Sequence, residues 1–184
     1  FLYDPAAPVP TRGGGLCCEN QRLVPGAFDQ RPVEERGDVL IYTTPEFQRP
    51  FEVTGPVSLE FYASSSAVDT DFTAKLVDVW PNGFAQNLTD GILRARFRDS
   101  QEKPDLMNLG EIYKLTIDLA ATSNVFKAGH RLRLEVSSSN FPRFDRNPNT
   151  GESAATSSRM VKATNAIYHD HAHPSALILP VVPK

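Results

Sequence analysis

Short runs of alternating apolar and polar residues are the feature that most restricts the fold of this chain. In residues 57–63 every second side chain is apolar, and the polar Ser58 and Glu60 stand between them. A strand with one face on a core and the other toward solvent has this period of two. A strong 3.6-residue apolar repeat over three turns is absent from the sequence. The predicted strands are residues 39–43, 57–63, 72–80, 84–88, 91–98, 112–119, 131–137 and 177–182.

Turn residues and long connections between these strands favour a β-sandwich. Asn82-Gly83 is a strong hairpin signal, and it predicts that residues 72–80 and 84–88 pair. The long connections 99–110 and 140–160 suit Greek-key crossovers between two sheets better than a simple meander. The predicted fold is therefore all-β, a jelly-roll β-sandwich. One short helix is predicted within residues 151–162.

The chain divides into an irregular start and a strand-rich remainder. Proline and glycine punctuate residues 1–36 too densely for long elements. We expect these residues to form an irregular lead-in packed on the sandwich, and residues 37–184 to form the jelly-roll domain. A length of 184 residues fits a single domain overall.

Charge and hydropathy exclude several classes of partner. The net charge is −3, whereas a nucleic-acid binder usually carries a basic patch or stripe. The longest apolar runs fall well short of the roughly 20 residues that span a bilayer. We therefore expect neither nucleic acid nor membrane as a partner. We read no leader in the given residues and expect a cytoplasmic bacterial protein.

The two cysteines, Cys17 and Cys18, are adjacent. Adjacent cysteines do not make a disulfide framework, so a stapled secreted domain is not expected. We expect two reduced thiols, with a strained disulfide between neighbours as the rarer alternative.

The stretch from Ser137 to Gly151 begins as a strand and continues as a long polar loop with two prolines, two phenylalanines and several charges. The backbone groups of such a loop need water, side chains or another surface as partners. We expect this loop to contact a neighbouring domain. Its predicted interface residues are Asn140, Phe141, Arg143, Phe144, Asp145 and Arg146.

The sequence carries no convincing catalytic set. Ser153 follows Gly151, but the last glycine of a nucleophile elbow is missing, and the preceding residues read as loop instead of strand. Asp170 and His171 follow Ser153 too closely for the strands and helices that normally separate a triad. We therefore assign no catalytic residue to this chain.

Two other groups of polar residues invite a metal interpretation. His169, His171 and His173 alternate, so an extended segment would place three imidazoles on one face. The competing interpretation is a polar loop ahead of Pro174. Asp69 and Asp71 resemble a fragment of a calcium loop, but entry to a strand explains them better. No metal and no other cofactor is predicted.

Arginines and aromatic residues offer two more candidate sites. Arg94, Arg96 and Arg98 alternate along one predicted strand, which indicates either an anion site or an outer face that is solvated or paired with carboxylates; we favour the outer face. Trp80, Phe84 and Phe141 suit a sugar-stacking platform, although aromatic residues in a sandwich more often lie in a core or an interface.

Several longer motifs resemble the C-terminal domain of the X-Pro dipeptidyl-peptidase and acyl-esterase family of α/β-hydrolases. They are residues 3–10, 29–32, 38–40, 53–55, 69–79, 90–92, 121–126, 137–151 and 173–175. The resemblance implies a bacterial serine hydrolase with an α/β-hydrolase domain, a cap and a C-terminal jelly roll like galactose-binding domains. Its triad belongs to the first of these domains, so this chain is expected to be non-catalytic.

The resemblance also implies partners and a site. The partners are the α/β-hydrolase and cap domains of the same parent chain, with a homodimer left open. Leu16, Cys17 and Cys18 match the segment that lines the substrate cleft, and relatives carry bulkier apolar residues at the two cysteine positions. A free-standing carbohydrate-binding module and a cupin-like metalloenzyme are the alternative functions.

Overall fold

A computed structural model of the chain describes residues 1–17, 23–153 and 155–183. The described residues form nine strands, one α-helix and one 3₁₀ helix. The strands are β1 (Leu2–Tyr3), β2 (Leu40–Thr43), β3 (Phe51–Ser65), β4 (Asp71–Val79), β5 (Ala85–Arg94), β6 (Tyr113–Phe126), β7 (Arg131–Ser137), β8 (Ala163–Tyr168) and β9 (Ala176–Ile178). Helix α1 spans Arg31–Glu34, and the 3₁₀ helix spans Ala95–Phe97. Neither described helix is long and apolar enough to cross a membrane.

The strands form two antiparallel sheets. The first has the order β1-β8-β3-β6, with β9 also paired to β3, and the second has the order β2-β7-β4-β5. Of the paired strands, only β4 and β5 follow each other directly in the chain. The predicted all-β sandwich is confirmed, and the other connections cross between strands that are not sequence neighbours.

The predicted alternation determines which side chains enter the core. Val57, Leu59, Phe61 and Ala63 of β3 are all buried. Facing them across the sandwich are Phe72, Ala74 and Leu76 of β4 and Leu132, Leu134 and Val136 of β7. Full burial of one such side chain stabilises the fold by about 1.5–3 kcal/mol, so the core is the main stabilising contribution.

Strand β4 is buried along its whole length because a second layer covers its outer face. Gln30, which is fully buried, donates hydrogen bonds to the carbonyls of Arg12 (2.9 Å) and Phe28 (3.0 Å). Its side-chain oxygen accepts a 3.0 Å hydrogen bond from Lys75 on that outer face. Val33 of α1 is likewise buried, and it packs with Val9 and Val39.

Three local predictions are wrong, and strand β8 was not predicted. The predicted strand 177–182 is shortened to β9, which ends at Ile178. The predicted strand 91–98 ends at Arg94 and continues as the 3₁₀ helix, because the turn before β4 binds its backbone. Ala95 donates to the carbonyl of Thr70 (2.9 Å), and Arg96 donates to Asp69 Oδ1 (3.0 Å). The described part of residues 151–162 forms turns and no helix. There, Val161 donates to the Pro148 carbonyl (3.0 Å), a long-range contact that a helix would not make.

Candidate functional site

The long loop between β7 and β8 is anchored at both ends by buried polar contacts. At one end Asn140 donates to Asp90 Oδ2 (3.1 Å). At the other end Asn147 donates to both Asp69 Oδ2 (2.8 Å) and Asp71 Oδ1 (2.8 Å). Asn140 is 2% exposed and Asn147 is fully buried. The residues between these anchors, 141–146, are called the crest loop below.

The crest loop presents aromatic and charged side chains to its surroundings. Phe141 is 36% exposed, and Asp145 is exposed as well. The guanidinium of Arg146 lies 5.6 Å from the ring centroid of Phe141, and that of Arg143 lies 5.2 Å from the ring centroid of Phe144. Cation–π contacts of this kind restrict the side chains before any partner binds.

The lead-in supports the crest loop through its backbone. Thr11 donates to the Phe141 carbonyl (2.7 Å), and Phe141 donates to the Val9 carbonyl (2.9 Å). The backbone of Arg143 donates to the Thr11 hydroxyl (3.1 Å). Two segments about 130 residues apart in sequence therefore form one continuous surface.

Arg143 joins the crest loop to the glycine turn, residues 13–15. Its guanidinium pairs with Asp90 at 3.0 Å, and the carboxyl of Asp90 is largely buried. Burial raises the pKa of Asp90, and the charge of Arg143 opposes that rise. A Cβ at Gly14 would lie 2.7 Å from Nη1 of Arg143, and Gly14 has φ of +108°. The positive φ favours glycine at this position, and any side chain there would also displace the Arg143 guanidinium.

Leu16 and Cys17 follow the glycine turn directly. Leu16 donates to the Gly14 carbonyl (2.9 Å), and Gly14 pairs with Gly26 through hydrogen bonds of 2.8 and 3.1 Å. Leu16 is half-buried and Cys17 is exposed. Two of the three predicted cleft-wall residues thus lie beside the turn that Arg143 contacts. The glycine turn, Leu16, Cys17 and the crest loop are together called the crest face.

The prediction of reduced thiols is wrong for Cys17, which is bonded in a disulfide. Cys18, the other cysteine of the chain, lies outside the described residues. The prediction failed because sequence spacing does not report the backbone geometry on which a disulfide depends.

The three alternating histidines do not come together. His169 packs edge-on against Tyr42, with ring centroids 5.7 Å apart. His173 binds Asp170 (3.1 Å) and contacts the ring of Tyr62, and His171 is exposed. The part of the chain that the structure describes contains no group of three His, Cys, Asp or Glu side chains arranged to hold a metal.

The three alternating arginines are paired with carboxylates, as favoured from the sequence. Arg94 binds Asp71 (2.9 Å), and Arg96 lies 3.4 Å from Asp69. Arg98 pairs with Asp105 and with Asp99. These pairs and Asn147 occupy the carboxylates of Asp69 and Asp71, which explains both residues without a calcium ion.

Ser153 lies in a turn at the surface, and its hydroxyl accepts a 3.4 Å hydrogen bond from the backbone of Ala155. Asp170 pairs with His173. Within the described residues, no hydrogen bond links Ser153 to Asp170 or to His173.

Sequence reasoning missed Asp90 as a partner of the crest loop. Asp90 lies within β5. The carboxylate of Asp90 binds Asn140 and Arg143, and both contacts span about 50 residues of sequence. No pattern of neighbouring residues signals contacts over such a separation.

Residues 2–178 match the X-Pro dipeptidyl-peptidase C-terminal non-catalytic domain, so the chain belongs to this domain family. It is 52% identical over 186 residues to cocaine esterase of Rhodococcus sp., covering 100% of this chain and 32% of that protein.

Two solved structures are similar in fold. One is an aminopeptidase from a marine sediment archaeon, Thaumarchaeota archaeon, with a TM-score of 0.90 and 28% identity, covering 100% of this chain and 33% of that one. The other is an α-amino acid ester hydrolase, with a TM-score of 0.89 and 29% identity, covering 99% of this chain and 32% of that one. The chain thus spans about a third of the length of these relatives.

Proposed function

We propose that this chain is the C-terminal domain of a serine hydrolase of the acyl-esterase or Xaa-Pro dipeptidyl-peptidase type. The observation that carries the proposal is membership of a domain family described as non-catalytic. The longer relatives, an esterase, an aminopeptidase and an ester hydrolase, support a hydrolytic parent. The parent would cleave an ester or amide through an acyl-enzyme, with a triad outside this chain.

The proposed partners are the α/β-hydrolase and cap domains of that parent, and the crest face is the surface that contacts them. Arginine and aromatic residues are enriched in protein interfaces. The crest loop carries two of each, held in place by cation–π contacts and buried anchors. A surface ordered in advance loses less conformational entropy when it docks.

Within this arrangement Leu16 and Cys17, together with Cys18, form one wall of the substrate cleft. A wall of this kind excludes water and orients the substrate, so it contributes binding and takes no part in bond making. Cysteines occupy less volume than bulky apolar residues. The proposed cleft therefore accepts a larger acyl or leaving group on this side.

The first test compares the parent protein with this chain alone on a chromogenic short-chain ester. The chain alone is expected to give no hydrolysis above the buffer rate, and the parent is expected to turn over. Serine-dependent turnover by the purified chain would disprove the assignment as non-catalytic.

The second test separates the cleft wall from general packing. In the parent, Leu16→Ala is expected to change the ratio of kcat/KM between a small and a bulky acyl ester, because the wall contacts the substrate. Ile178→Ala is the matched control, since Ile178 is exposed on β9 and apart from the crest face. An unchanged ratio in Leu16→Ala, with the parent folded, would remove the cleft-wall role and leave the domain assignment standing.

A free-standing carbohydrate-binding module remains the second candidate, and the exposure of Trp80 is the observation that favours it. Trp80 is 40% exposed and packs edge-on against Phe84, with ring centroids 5.4 Å apart. Calorimetric titration with oligosaccharides distinguishes the two candidates. Saturable heat that is lost in Trp80→Ala would favour the sugar-binding function.

A further inference from the structure

A cavity of about 360 Å³ opens between the two sheets along one edge of the sandwich. At the opposite edge β5 and β6 touch, and the Thr89 hydroxyl donates to the carbonyl of Leu119. At the edge where the cavity opens, the strands β2 and β9 are short and leave the space between the two sheets uncovered. The cavity walls include Tyr42, Phe61, Leu134, His169, Ala176 and Leu177.

The cavity walls are mostly apolar; the polar lining residues besides Tyr42 are Thr43, Thr44, His169 and Ser175, and no Asp, Glu, Lys or Arg lines them. Phe61 and Leu134 belong to the main core, so the cavity floor is continuous with it. Water in such a space finds few hydrogen-bond partners, and its release favours an apolar occupant. The volume lies within the range of roughly 300–1,000 Å³ that is typical of small-molecule sites.

Three of the polar groups at this cavity, the hydroxyls of Thr43, Thr44 and Ser175, are already hydrogen-bonded within the sandwich. The Tyr42 hydroxyl makes no hydrogen bond within the described residues, although the side chain is half-buried. Its ring is held by the edge-on contact with His169. Burial raises the pKa of Tyr42, so the phenol stays protonated and remains a donor at neutral pH.

We propose that this cavity binds one small neutral molecule with an apolar body and a ketone or ester oxygen that accepts a hydrogen bond from Tyr42. Mostly apolar walls with the Tyr42 phenol as hydrogen-bond donor suit this chemistry. A charged ligand would lose its hydration without gaining an ion pair. The site lies at the open edge and involves no residue of the crest face, so it does not depend on the proposed function.

The experiment titrates the full 184-residue chain with 2-acetylnaphthalene and follows methyl NMR shifts. Saturable shifts at Leu134 and Leu177 are expected. Tyr42→Phe should weaken binding by about fivefold to tenfold, the value of one hydrogen bond. Tyr62→Phe is the matched control, because Tyr62 is absent from the cavity walls, and it should leave the affinity unchanged.

Two further arms make the test decisive. Naphthalene lacks the ketone, so its affinity should be the same for Tyr42→Phe and for the unaltered chain. Ala176→Trp places a large ring at the cavity and should abolish binding while circular dichroism stays native. The proposal is overturned if the folded chain shows no saturable shifts at Leu134 and Leu177. It is also overturned if Tyr42→Phe binds 2-acetylnaphthalene with full affinity.

Discussion

Arg94 binds Asp71 through two parallel contacts, with Nε 2.9 Å from Oδ1 and Nη2 3.0 Å from Oδ2. The side chain of Asp71 is 1% exposed, whereas that of Arg94 is 23% exposed. A carboxylate removed from water is unfavourable unless it is paired and hydrogen-bonded. The planar guanidinium satisfies both carboxylate oxygens at once. The ion pair therefore allows the buried charge of Asp71 to lie beside Asn147, which anchors one end of the long loop.

Arg94→Met should destabilise the domain strongly, because it leaves the buried Asp71 without its cation. The expected loss in free energy of unfolding is about 3 kcal/mol or more, measured by urea unfolding at pH 7.5. Arg131→Met is the matched control, since its ion pair with Glu46 is exposed on both sides. The control should lose less than about 1 kcal/mol. Equal losses in the two variants would contradict the role of burial.

Asn147→Asp should destabilise the loop anchor, since it replaces a shared donor by a third carboxylate. Asn147 now donates to Asp69 and Asp71 at 2.8 Å each. Hydrogen bonds to charged groups contribute about 1.5–3 kcal/mol each, so an overall loss of about 3 kcal/mol is expected at pH 7.5. The loss should shrink at pH 4, where the new carboxyl is partly protonated.

The anchor's effect on the crest loop can be followed by trypsin, which cleaves after Arg143 and Arg146. Faster cleavage is expected in Asn147→Asp than in Asn108→Asp, an exposed control whose amide contacts Glu111. Identical digestion rates would show that the crest loop is held without Asn147.

Glu135 lies in a buried charge network under the lead-in. Its carboxylate is 3.4 Å from Nζ of Lys75, and its side chain is 3% exposed. Glu34, which pairs with Arg133 at 2.6 Å, stands beside it. Burial is the largest influence and raises the pKa of Glu135 to about 7; Lys75 opposes this rise and Glu34 adds to it.

The raised pKa of Glu135 predicts how stability depends on pH. The folded state holds the proton more tightly than the unfolded chain, in which the pKa is about 4.5. The stabilisation is therefore complete below pH 4.5 and is lost as the pH rises toward 7. Relative to Glu135→Gln, the chain should lose about 2–3 kcal/mol between pH 4.5 and pH 8. Urea unfolding at both pH values checks this; parallel curves for the two proteins would contradict it.

The sequence predicted the sandwich because period-two alternation reports directly on which face of a strand is buried. Strands β4 and β7 begin and end within one residue of the prediction. Alternation failed at residues 95–98, since a 3₁₀ turn held by Asp69 and Thr70 can carry the same pattern as a strand. Local patterns do not report long-range hydrogen bonds.

The candidate site was predictable only in part. The composition of residues 140–146 indicates a contact surface, but its pairing with Val9 and Thr11 joins irregular segments that carry no periodicity. The buried hydrogen bond between Gln30 and Lys75 was not predicted either, because Gln30 lies in a segment without periodicity. The cavity at Tyr42 depends on how far the sheets diverge, which is a property of the assembled sandwich.

Gly91 of β5 packs directly against β6 of the other sheet, and this contact provides a steric test. A Cβ at Gly91 would lie 2.0 Å from the Asp118 carbonyl oxygen and 2.8 Å from Cγ2 of Ile117. The first neighbour is backbone of β6, so it cannot move aside as a flexible side chain would. Gly91→Ala therefore has to push β5 and β6 apart along the closed edge.

The expected cost of Gly91→Ala is about 3 kcal/mol or more, at the upper end of overpacking effects, because backbone must shift. Gly15→Ala is the control, since an added Cβ there meets no atom within 4 Å. It should change the free energy of unfolding by less than about 0.5 kcal/mol, as expected for a surface substitution. Urea unfolding of both variants provides the measurement. A Gly91→Ala protein as stable as Gly15→Ala would mean that β5 and β6 do not touch at this edge.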